Sequence, residues 1–188
     1  MRELEQRIER EGKVLRGDVL KVGSFLNQQV DIKLLQSMAK EVRKLFPCEV
    51  TKVLTIEASG IPFATAIAVE YGVPLIFAKK SKTSNLDDNV VSAEVKSYTH
   101  NNTNVIFVTK DFITRDDKVL IADDFLAEGN ALMGLIQIVE KCGGNVVGAA
   151  IEIEKTYQKG GDKIRALGYE VKSLAEIVEM TENKIVFK

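Results

Sequence analysis

Short apolar runs that alternate with helical segments constrain the fold of this chain more than any other feature of its sequence. The runs at 52–56, 73–78, 119–122 and 146–153 consist mostly of apolar residues. Such runs are typical of strands that are buried on both faces of a parallel sheet. Because helical segments separate them, the pattern predicts an α/β fold in which helices flank a mostly parallel central sheet.

Apolar spacing and capping signals set the expected boundaries of the other elements. After Asp31, apolar residues recur at helical spacing until Pro47, so we predict a helix with Asp31 as its N-cap. Four further helices are predicted, over 1–11 (on the surface), 59–71, 130–142 and 162–167. Short strands are expected at 169–171 and 185–187.

The segment 79–104 interrupts this alternation, because it is long, polar and free of Gly and Pro. Within it, 91–98 alternates like a strand of an exposed hairpin, and 105–108 is the expected partner strand. A polar insertion of this length in a compact domain is either a functional lid or a solvated hairpin without a role.

Composition describes one near-neutral domain. The 188 residues carry 26 Lys and Arg against 27 Asp and Glu, a formal net charge of −1, which argues against a general nucleic-acid binder. The longest uncharged stretch, between Glu57 and Glu70, is shorter than the ~20 residues that a membrane helix needs, and the first residues lack a secretory signal. We therefore predict a cytoplasmic protein without nucleic-acid or membrane partners, in which Cys48 and Cys142 are reduced, half-buried residues.

The acidic pair Asp123-Asp124 is the most informative local feature. It ends the apolar run 119–122, and a loop with Gly129 then enters a helix. Ligands of open α/β sheets bind at the carboxyl ends of strands, and helix N-termini bind anions. Carboxylates can accept hydrogen bonds from sugar hydroxyls, bind Mg²⁺ or stabilise a developing positive charge. The spacing therefore predicts a ligand with a phosphate beside a sugar diol, and a 5-phosphorylated ribose fits.

Other interpretations of these motifs compete. Paired acids at a strand end also occur in receiver domains and aspartyl-phosphate phosphatases, but the downstream Thr and Lys set of those proteins is missing. Acids that cap the next helix would explain Asp124 or Glu128, but not a pair on a buried strand. The turn 57–61 between a strand and a helix suits an anion, and equally suits an ordinary turn with Ser59 as N-cap.

The stretch 119–129 resembles the phosphoribosyl-pyrophosphate motif of the type I phosphoribosyltransferases. It consists of a predicted buried strand followed by Asp-Asp, two apolar residues, Ala, any residue and Gly. The segments 11–29, 55–61 and 153–157 are similar to those of the bacterial, xanthine-specific branch of that family, and the resemblance covers essentially the whole chain. It implies the type I phosphoribosyltransferase fold as a single domain over 1–188. A small hood would come from about 1–30 and 154–188, with a mobile lid hairpin at about 79–104.

The resemblance also implies a function. The 5-phosphoribosyl group of 5-phosphoribosyl 1-pyrophosphate would pass to N9 of xanthine, giving xanthosine 5-phosphate and pyrophosphate in purine salvage. Catalysis would depend on Asp123 and Asp124. The 5-phosphate loop would comprise Ala127, Glu128, Gly129, Asn130 and Ala131. The pyrophosphate loop would comprise Glu57, Ala58, Ser59 and Gly60. Pyrophosphate contacts from the lid would come from Lys79, Lys80 and Lys82. Xanthine would be bound by Leu20, Asn27, Lys155 and Tyr157.

The chemistry of these implied roles is consistent. Lys155, a pure donor, would select an oxopurine over an aminopurine, Asn27 would read the 2-oxo edge, and Tyr157 would stack on the ring. Since a carboxylate repels phosphate, Glu128 can belong to its loop only with its side chain toward solvent. No role is expected for His100.

The resemblance further implies Mg²⁺ carried by the substrate, with no direct protein ligand, and a homodimer. Adenine or hypoxanthine/guanine phosphoribosyltransferases remain alternatives, because they share the turns and the lid. A non-catalytic regulator that senses phosphoribosyl pyrophosphate and binds nucleic acid is another alternative, which the net charge of −1 disfavours.

Overall fold

The computed structural model describes residues 1–80, 89–96, 103–182 and 184–188. Its helices are α1 (Arg2–Glu11), α2 (Ile32–Leu45), α3 (Ile61–Tyr71), α4 (Asn130–Cys142) and α5 (Gly160–Ala166). Its strands are β1 (Lys13–Leu15), β2 (Val19–Lys21), β3 (Lys52–Ile56), β4 (Leu75–Ala78), β5 (Val90–Lys96), β6 (Thr103–Thr109), β7 (Lys118–Leu126), β8 (Asn145–Lys155), β9 (Val171–Thr181) and β10 (Lys184–Phe187).

A six-stranded sheet with the order β10-β9-β8-β7-β3-β4 forms the centre of the fold. Its neighbours β4, β3, β7, β8 and β9 pair in parallel, and β10 pairs antiparallel with β9 at one edge. The predicted α/β class with a mostly parallel central sheet is therefore confirmed. In this order β7 lies between β8 and β3, so the acidic pair stands in the middle of the sheet.

The sheet separates two apolar clusters. One lies under α1, α2 and α3 and includes Phe25, Met38 and Phe63, while the other lies under α4 and includes Leu135 and Ile138. Burial of these side chains supplies the main stabilisation of the layered fold. Within the described part of the chain, no helix is both long enough and apolar enough to span a bilayer.

The β5–β6 pair confirms the predicted hairpin partners but not their exposure. The two strands pair antiparallel, and the main-chain groups of Lys79 and Phe107 join the pair to β4. One face of the pair is buried against α4 through Ala93, Val95, Ile106 and Val108. A Cβ on Gly134 of α4 would meet Val95 Cγ2 at 2.5 Å, which shows how closely the two elements approach. Lys82, His100 and the rest of 81–88 and 97–102 lie outside the described residues.

Several predicted boundaries are wrong. The strand predicted at 169–171 begins only at Val171 and extends over 11 residues as β9. Its sequence did not indicate this length, because β9 is half-exposed and alternates charged with apolar residues instead of forming an apolar run. Ser59 is not a cap, since α3 begins after Gly60 with no side-chain hydrogen bond to its first turn. Leu4 and Ile8 of the predicted surface helix are fully buried, and Cys48 is exposed.

Candidate active site

A cavity of about 430 Å³ opens at the carboxyl ends of β3, β7 and β8. Its position is the one that parallel α/β sheets generally use for ligands. The predicted residues that line it are Leu20, Ser59, Lys80, Asp123, Asp124, Ala127, Glu128, Gly129, Asn130, Ala131 and Lys155. The structure thus brings the acidic pair, both proposed anion loops and the proposed base-binding lysine to one place.

Asp123 and Asp124 stand at the floor of the cavity and are only 5% and 8% exposed. The Asp124 amide donates to Asp123 Oδ1 at 3.1 Å, and Asn27 Nδ2 donates to Asp124 Oδ2 at 3.3 Å. Burial, helped by the neighbouring Asp124 charge, raises the pKa of Asp123 well above its usual range, while Lys80 opposes the shift. A cationic group in the cavity would therefore favour ionisation of Asp123.

Glu152 adds a third carboxyl group behind the pair. It lies on β8, is 2% exposed, and is a buried acid that was not predicted from the sequence. Burial raises the pKa of Glu152 well above its usual range, and the charges of Asp124 and Asp123 add to the effect. Since burial and neighbouring like charges disfavour ionisation, Asp123 and Glu152 hold their protons more tightly than exposed acids do.

The backbone of the loop 127–131 can provide donors to an anion. Gly129 has a φ of 88° and begins α4 without any side-chain cap, so the N–H groups of the first helical turn remain available to a ligand. The Gly160 amide donates to the Ala127 carbonyl at 3.0 Å. Glu128 is exposed, and its Oε2 accepts from Asn130 Nδ2 at 3.2 Å.

The turn 57–60 lies against β3 and the acidic pair. Glu57 Oε1 accepts from the Lys80 amide at 2.5 Å. A Cβ on Gly60 would meet Asp123 Oδ1 at 3.0 Å and would lie even closer to Thr55 Oγ1. Thr55 is fully buried, and its hydroxyl has no hydrogen-bond partner within the described residues. Of the predicted loop, Ser59 lines the cavity, and α3 begins without a side-chain cap.

Of the four proposed base-binding residues, Leu20 and Lys155 line the opposite end of the cavity, and Asn27 and Tyr157 do not line it. Leu20 and Lys155 are each 6% exposed. The Lys155 ammonium lies 5.9 Å from the centre of the Phe125 ring, which also lines the cavity. Asn27, which was predicted to read the base, donates to Asp124 and so stands next to the acidic pair.

Asp18 joins several of these groups and was not predicted. Lys155 Nζ donates to the Asp18 carbonyl oxygen and lies 3.9 Å from its carboxylate. Tyr157 Oη donates to Asp18 Oδ1 at 2.6 Å, and Gln158 Nε2 donates to Oδ2. Burial lowers the pKa of Lys155, and the Asp18 charge partly restores it.

Two sequence signals could have exposed the missed residues. Glu152 is a charged residue inside an otherwise apolar run, which is unusual for a strand buried on both faces. The Gly17-Asp18 dipeptide stands between two short apolar stretches and marks a tight turn. Phe125 and Thr55 carry no comparable signal, because apolar and Thr residues are common in strands.

Comparison with known proteins decides the family. The phosphoribosyl transferase domain family matches residues 21–185 of this chain. Over all 188 residues, the chain is 48% identical to a Bacillus cereus (strain AH187) protein named xanthine phosphoribosyltransferase, and covers 95% of that protein. The chain belongs to the phosphoribosyltransferase family.

Solved structures agree on the fold of this phosphoribosyltransferase. The Giardia lamblia adenine phosphoribosyltransferase, complexed with 9-deazaadenine, superposes with a TM-score of 0.80 at 21% identity, over 95% of this chain and 98% of that one. The adenine phosphoribosyltransferase of Thermoanaerobacter pseudethanolicus is 26% identical with a TM-score of 0.68, over 78% of this chain and 82% of that one. The predicted type I phosphoribosyltransferase fold is confirmed.

Proposed function

We propose that this phosphoribosyltransferase transfers the 5-phosphoribosyl group from 5-phosphoribosyl 1-pyrophosphate to N9 of xanthine. The bond from C1 of the ribose to the pyrophosphate oxygen breaks, the bond from C1 to N9 forms, and the N9 proton is released. The products are xanthosine 5-phosphate and pyrophosphate. The name of the 48% identical relative supports this choice.

The observation that carries the choice of base is the buried Lys155 ammonium at the end of the cavity. An ammonium offers three N–H donors and no acceptor, so it can bind the oxygen of an oxopurine but cannot pair with an exocyclic amino group. The Phe125 ring beside it provides an apolar face for a planar base. Leu20 lines the same end of the cavity, and Asn27 binds the 2-oxo edge of xanthine.

The acidic pair acts on the ribose. Asp123 and Asp124 accept hydrogen bonds from the sugar hydroxyls. Their negative charge stabilises the positive charge that grows on the ribose as the bond to pyrophosphate breaks. Because the pair is buried, this attraction is weakly screened by water. Positioning and electrostatics then account for catalysis without a protein nucleophile.

Backbone amides and cations bind the phosphates. The uncapped start of α4 receives the 5-phosphate, with Asn130 as an additional donor, and the turn 57–60 with Lys79 and Lys80 receives the pyrophosphate. Mg²⁺ would enter with the substrate, held by substrate oxygens and water as suits a hard cation, with no direct protein ligand. When bound with the substrate, Mg²⁺ neutralises the charge of the leaving pyrophosphate.

The proposed domain plan follows from the same site. The hood comprises about 1–30 and 154–188, and the turn between β1 and β2 is its part at the base end of the cavity. The β5–β6 pair forms the base of the lid, with Val95 and Asn104 at the cavity. Closure of the lid would exclude water from the activated sugar.

The proposed homodimer has a candidate surface. An apolar groove runs between α2 and α3, with Ile32 58% and Val69 77% exposed. Lys40 and Glu70 line the same groove, so a second copy could bury the apolar residues and pair the charges. Analytical ultracentrifugation of the wild type and Val69→Glu tests this: a dimer that the substitution dissociates supports the groove, and a monomeric wild type refutes it.

The function is tested by pyrophosphate release from 5-phosphoribosyl 1-pyrophosphate with xanthine, guanine, hypoxanthine or adenine supplied in parallel. We expect the highest kcat/KM with xanthine. Fastest turnover with adenine would overturn the argument from Lys155. The absence of pyrophosphate release with any of the four bases, together with tight RNA binding at moderate salt, would instead favour a regulatory protein.

A further inference from the structure

The turn between β1 and β2 reaches the base end of the cavity through Asp18. We propose that Asp18 is a positioning residue for base recognition, which fixes the Lys155 ammonium at the cavity wall and links it to Tyr157 and Gln158. This contact holds Lys155 against the turn between β1 and β2, so that the lysine selects oxopurines over aminopurines. This inference rests on the proposed function, since it deepens the account of the same site.

The contacts of Asp18 use its backbone and its side chain at once. Its carbonyl oxygen accepts from Lys155 Nζ. Each of its carboxylate oxygens accepts from a different side chain, Oδ1 from Tyr157 Oη at 2.6 Å and Oδ2 from Gln158 Nε2. Of the three donors, Lys155 is the last residue of β8, and Tyr157 and Gln158 lie in the turn Thr156–Gln158 that follows it. One residue therefore joins two segments that are more than 130 positions apart in sequence.

The backbone explains why an acid with a short side chain occupies this position. Gly17 and Asp18 have φ angles of 79° and 64°, the left-handed region that Gly, Asn and Asp tolerate best. The left-handed pair turns the chain between β1 and β2 within three residues. Asp18 can therefore place its carbonyl and its carboxylate near the end of β8, and Asn could keep the same backbone.

The negative charge of Asp18 acts on the Lys155 ammonium, in addition to the hydrogen bonds that Asp18 accepts. Burial favours neutral Lys155 and so lowers its pKa, while the Asp18 charge raises it. Among the described residues, Asp18 is the charged group that acts on this ammonium. Tyr157, at the Asp18 carboxylate, is the other titratable group, and the Phe125 ring faces the ammonium from β7. Glu154, next to Lys155 in the chain, is already paired with Arg165.

Keeping Lys155 protonated matters because a neutral amine has a lone pair. Neutral lysine could accept a hydrogen bond from an exocyclic amino group, and discrimination between oxo and amino purines would weaken. Asp18 also restrains the flexible lysine side chain before the base arrives, which reduces the entropy lost on binding.

The test compares Asp18→Asn with the wild type. Asn preserves the left-handed turn and a side-chain oxygen, but removes the charge. We expect the KM for xanthine to rise about tenfold, with kcat within about twofold of wild type. We also expect the alkaline limb of the pH profile of kcat/KM to move to lower pH, and the ratio of kcat/KM for xanthine over adenine to fall.

Glu182→Gln is the matched control. Its carboxylate pairs at 3.7 Å with Arg16, which belongs to the same turn, but both side chains are exposed. It should leave the KM, the pH profile and the base preference unchanged. Asp18→Asn could instead lower the thermal stability while the alkaline limb of the kcat/KM profile and the base preference stay unchanged. That result would show a structural role only and would overturn the proposal.

An NMR titration keeps this test separate from the proposed function. In protein labelled with ¹³C at lysine Cε, the Lys155 signal can be assigned by its loss in Lys155→Met. Its titration midpoint should lie lower in Asp18→Asn than in the wild type. An unchanged midpoint would refute the electrostatic role of Asp18, whereas absent activity with xanthine in the wild type would refute the proposed function alone.

Discussion

At the residue scale, the site gathers acids where burial disfavours their charge. Asp123, Asp124 and Glu152 are each less than a tenth exposed and lie close enough to affect one another. The acidic pair was predicted because two adjacent acids at the end of an apolar run form a strong local signal. Glu152 and Asp18 were not, because their roles depend on contacts between segments far apart in sequence.

The double substitution Asp123→Asn and Asp124→Asn tests the catalytic pair. It keeps the side-chain shape but removes the charge that would stabilise the ribose, so kcat should fall by about 10²–10³. Steady-state kinetics measure the loss, and circular dichroism checks that the fold is retained. Wild-type turnover in the folded variant would contradict the assigned role.

Glu152→Gln should stabilise the protein at alkaline pH. Because the folded-state pKa of Glu152 is raised, its contribution to stability is fully present below its unfolded pKa and is lost as pH rises through the folded value. The isosteric amide removes this loss. Urea unfolding should therefore show a gain in the free energy of unfolding at pH 8 that is absent at pH 4, and an equal effect at both pH values would refute the explanation.

At the element scale, α5 packs against the loop 127–131, the proposed 5-phosphate loop. A Cβ on Gly160 would clash with backbone atoms of Ala127, Glu128 and Gly129. The next residue, Gly161, faces Glu154, which accepts two hydrogen bonds from Arg165 at 2.9 and 2.7 Å. Neighbouring glycines of one short helix thus serve different neighbours, the loop and a buried ion pair.

Gly160→Ala and Gly161→Ala separate these two roles. Both should destabilise the fold by roughly 1–3 kcal/mol, because backbone or buried side-chain atoms must move. Only Gly160→Ala should displace the loop and raise the KM for 5-phosphoribosyl 1-pyrophosphate, by about tenfold. Kinetics well below both melting temperatures provide the comparison, and equal KM values for the two variants would show that α5 does not position the loop.

Elements were predictable from sequence to different degrees. The start and end of α4 were predicted correctly, because Gly129 and Gly143 flank an apolar periodic run. The length of β9 was not, since its half-exposed face breaks the apolar signal. The β5–β6 strands were predicted from their alternation, but their burial depends on the approach allowed by Gly134 of α4, which sequence periodicity does not reveal.

At the scale of the whole molecule, the end of the sheet opposite the cavity carries an ionic anchor. Asp117 accepts hydrogen bonds from Thr51 Oγ1 at 2.9 Å and from the Thr114 amide at 2.7 Å, and lies 3.0 Å from Lys52 Nζ. Burial alone would raise the pKa of Asp117, but the donors from Thr114, Lys52 and Thr51 outweigh it and lower the pKa to about 2.

Asp117→Asn should therefore reduce stability in a pH-dependent way. A carboxylate with a lowered pKa stabilises the fold above its unfolded pKa, and that stability is lost as pH falls toward the folded value. We expect a loss of about 1–2 kcal/mol at pH 7 that shrinks between pH 4 and pH 2. Urea unfolding across this range measures it, with the exposed neighbour Asp116→Asn as a control that should change little.

The position of β7 also determines how a bound ligand would register in amide hydrogen exchange. This strand pairs with β8 along most of its length, and its residues from Val119 to Ile121 also pair with β3. Its amides should therefore exchange only when the whole sheet opens. The amides of 57–60 and 127–131 belong to turns and a helix start. Substrate should consequently slow exchange in the two loops while the strand that carries both acids remains unchanged.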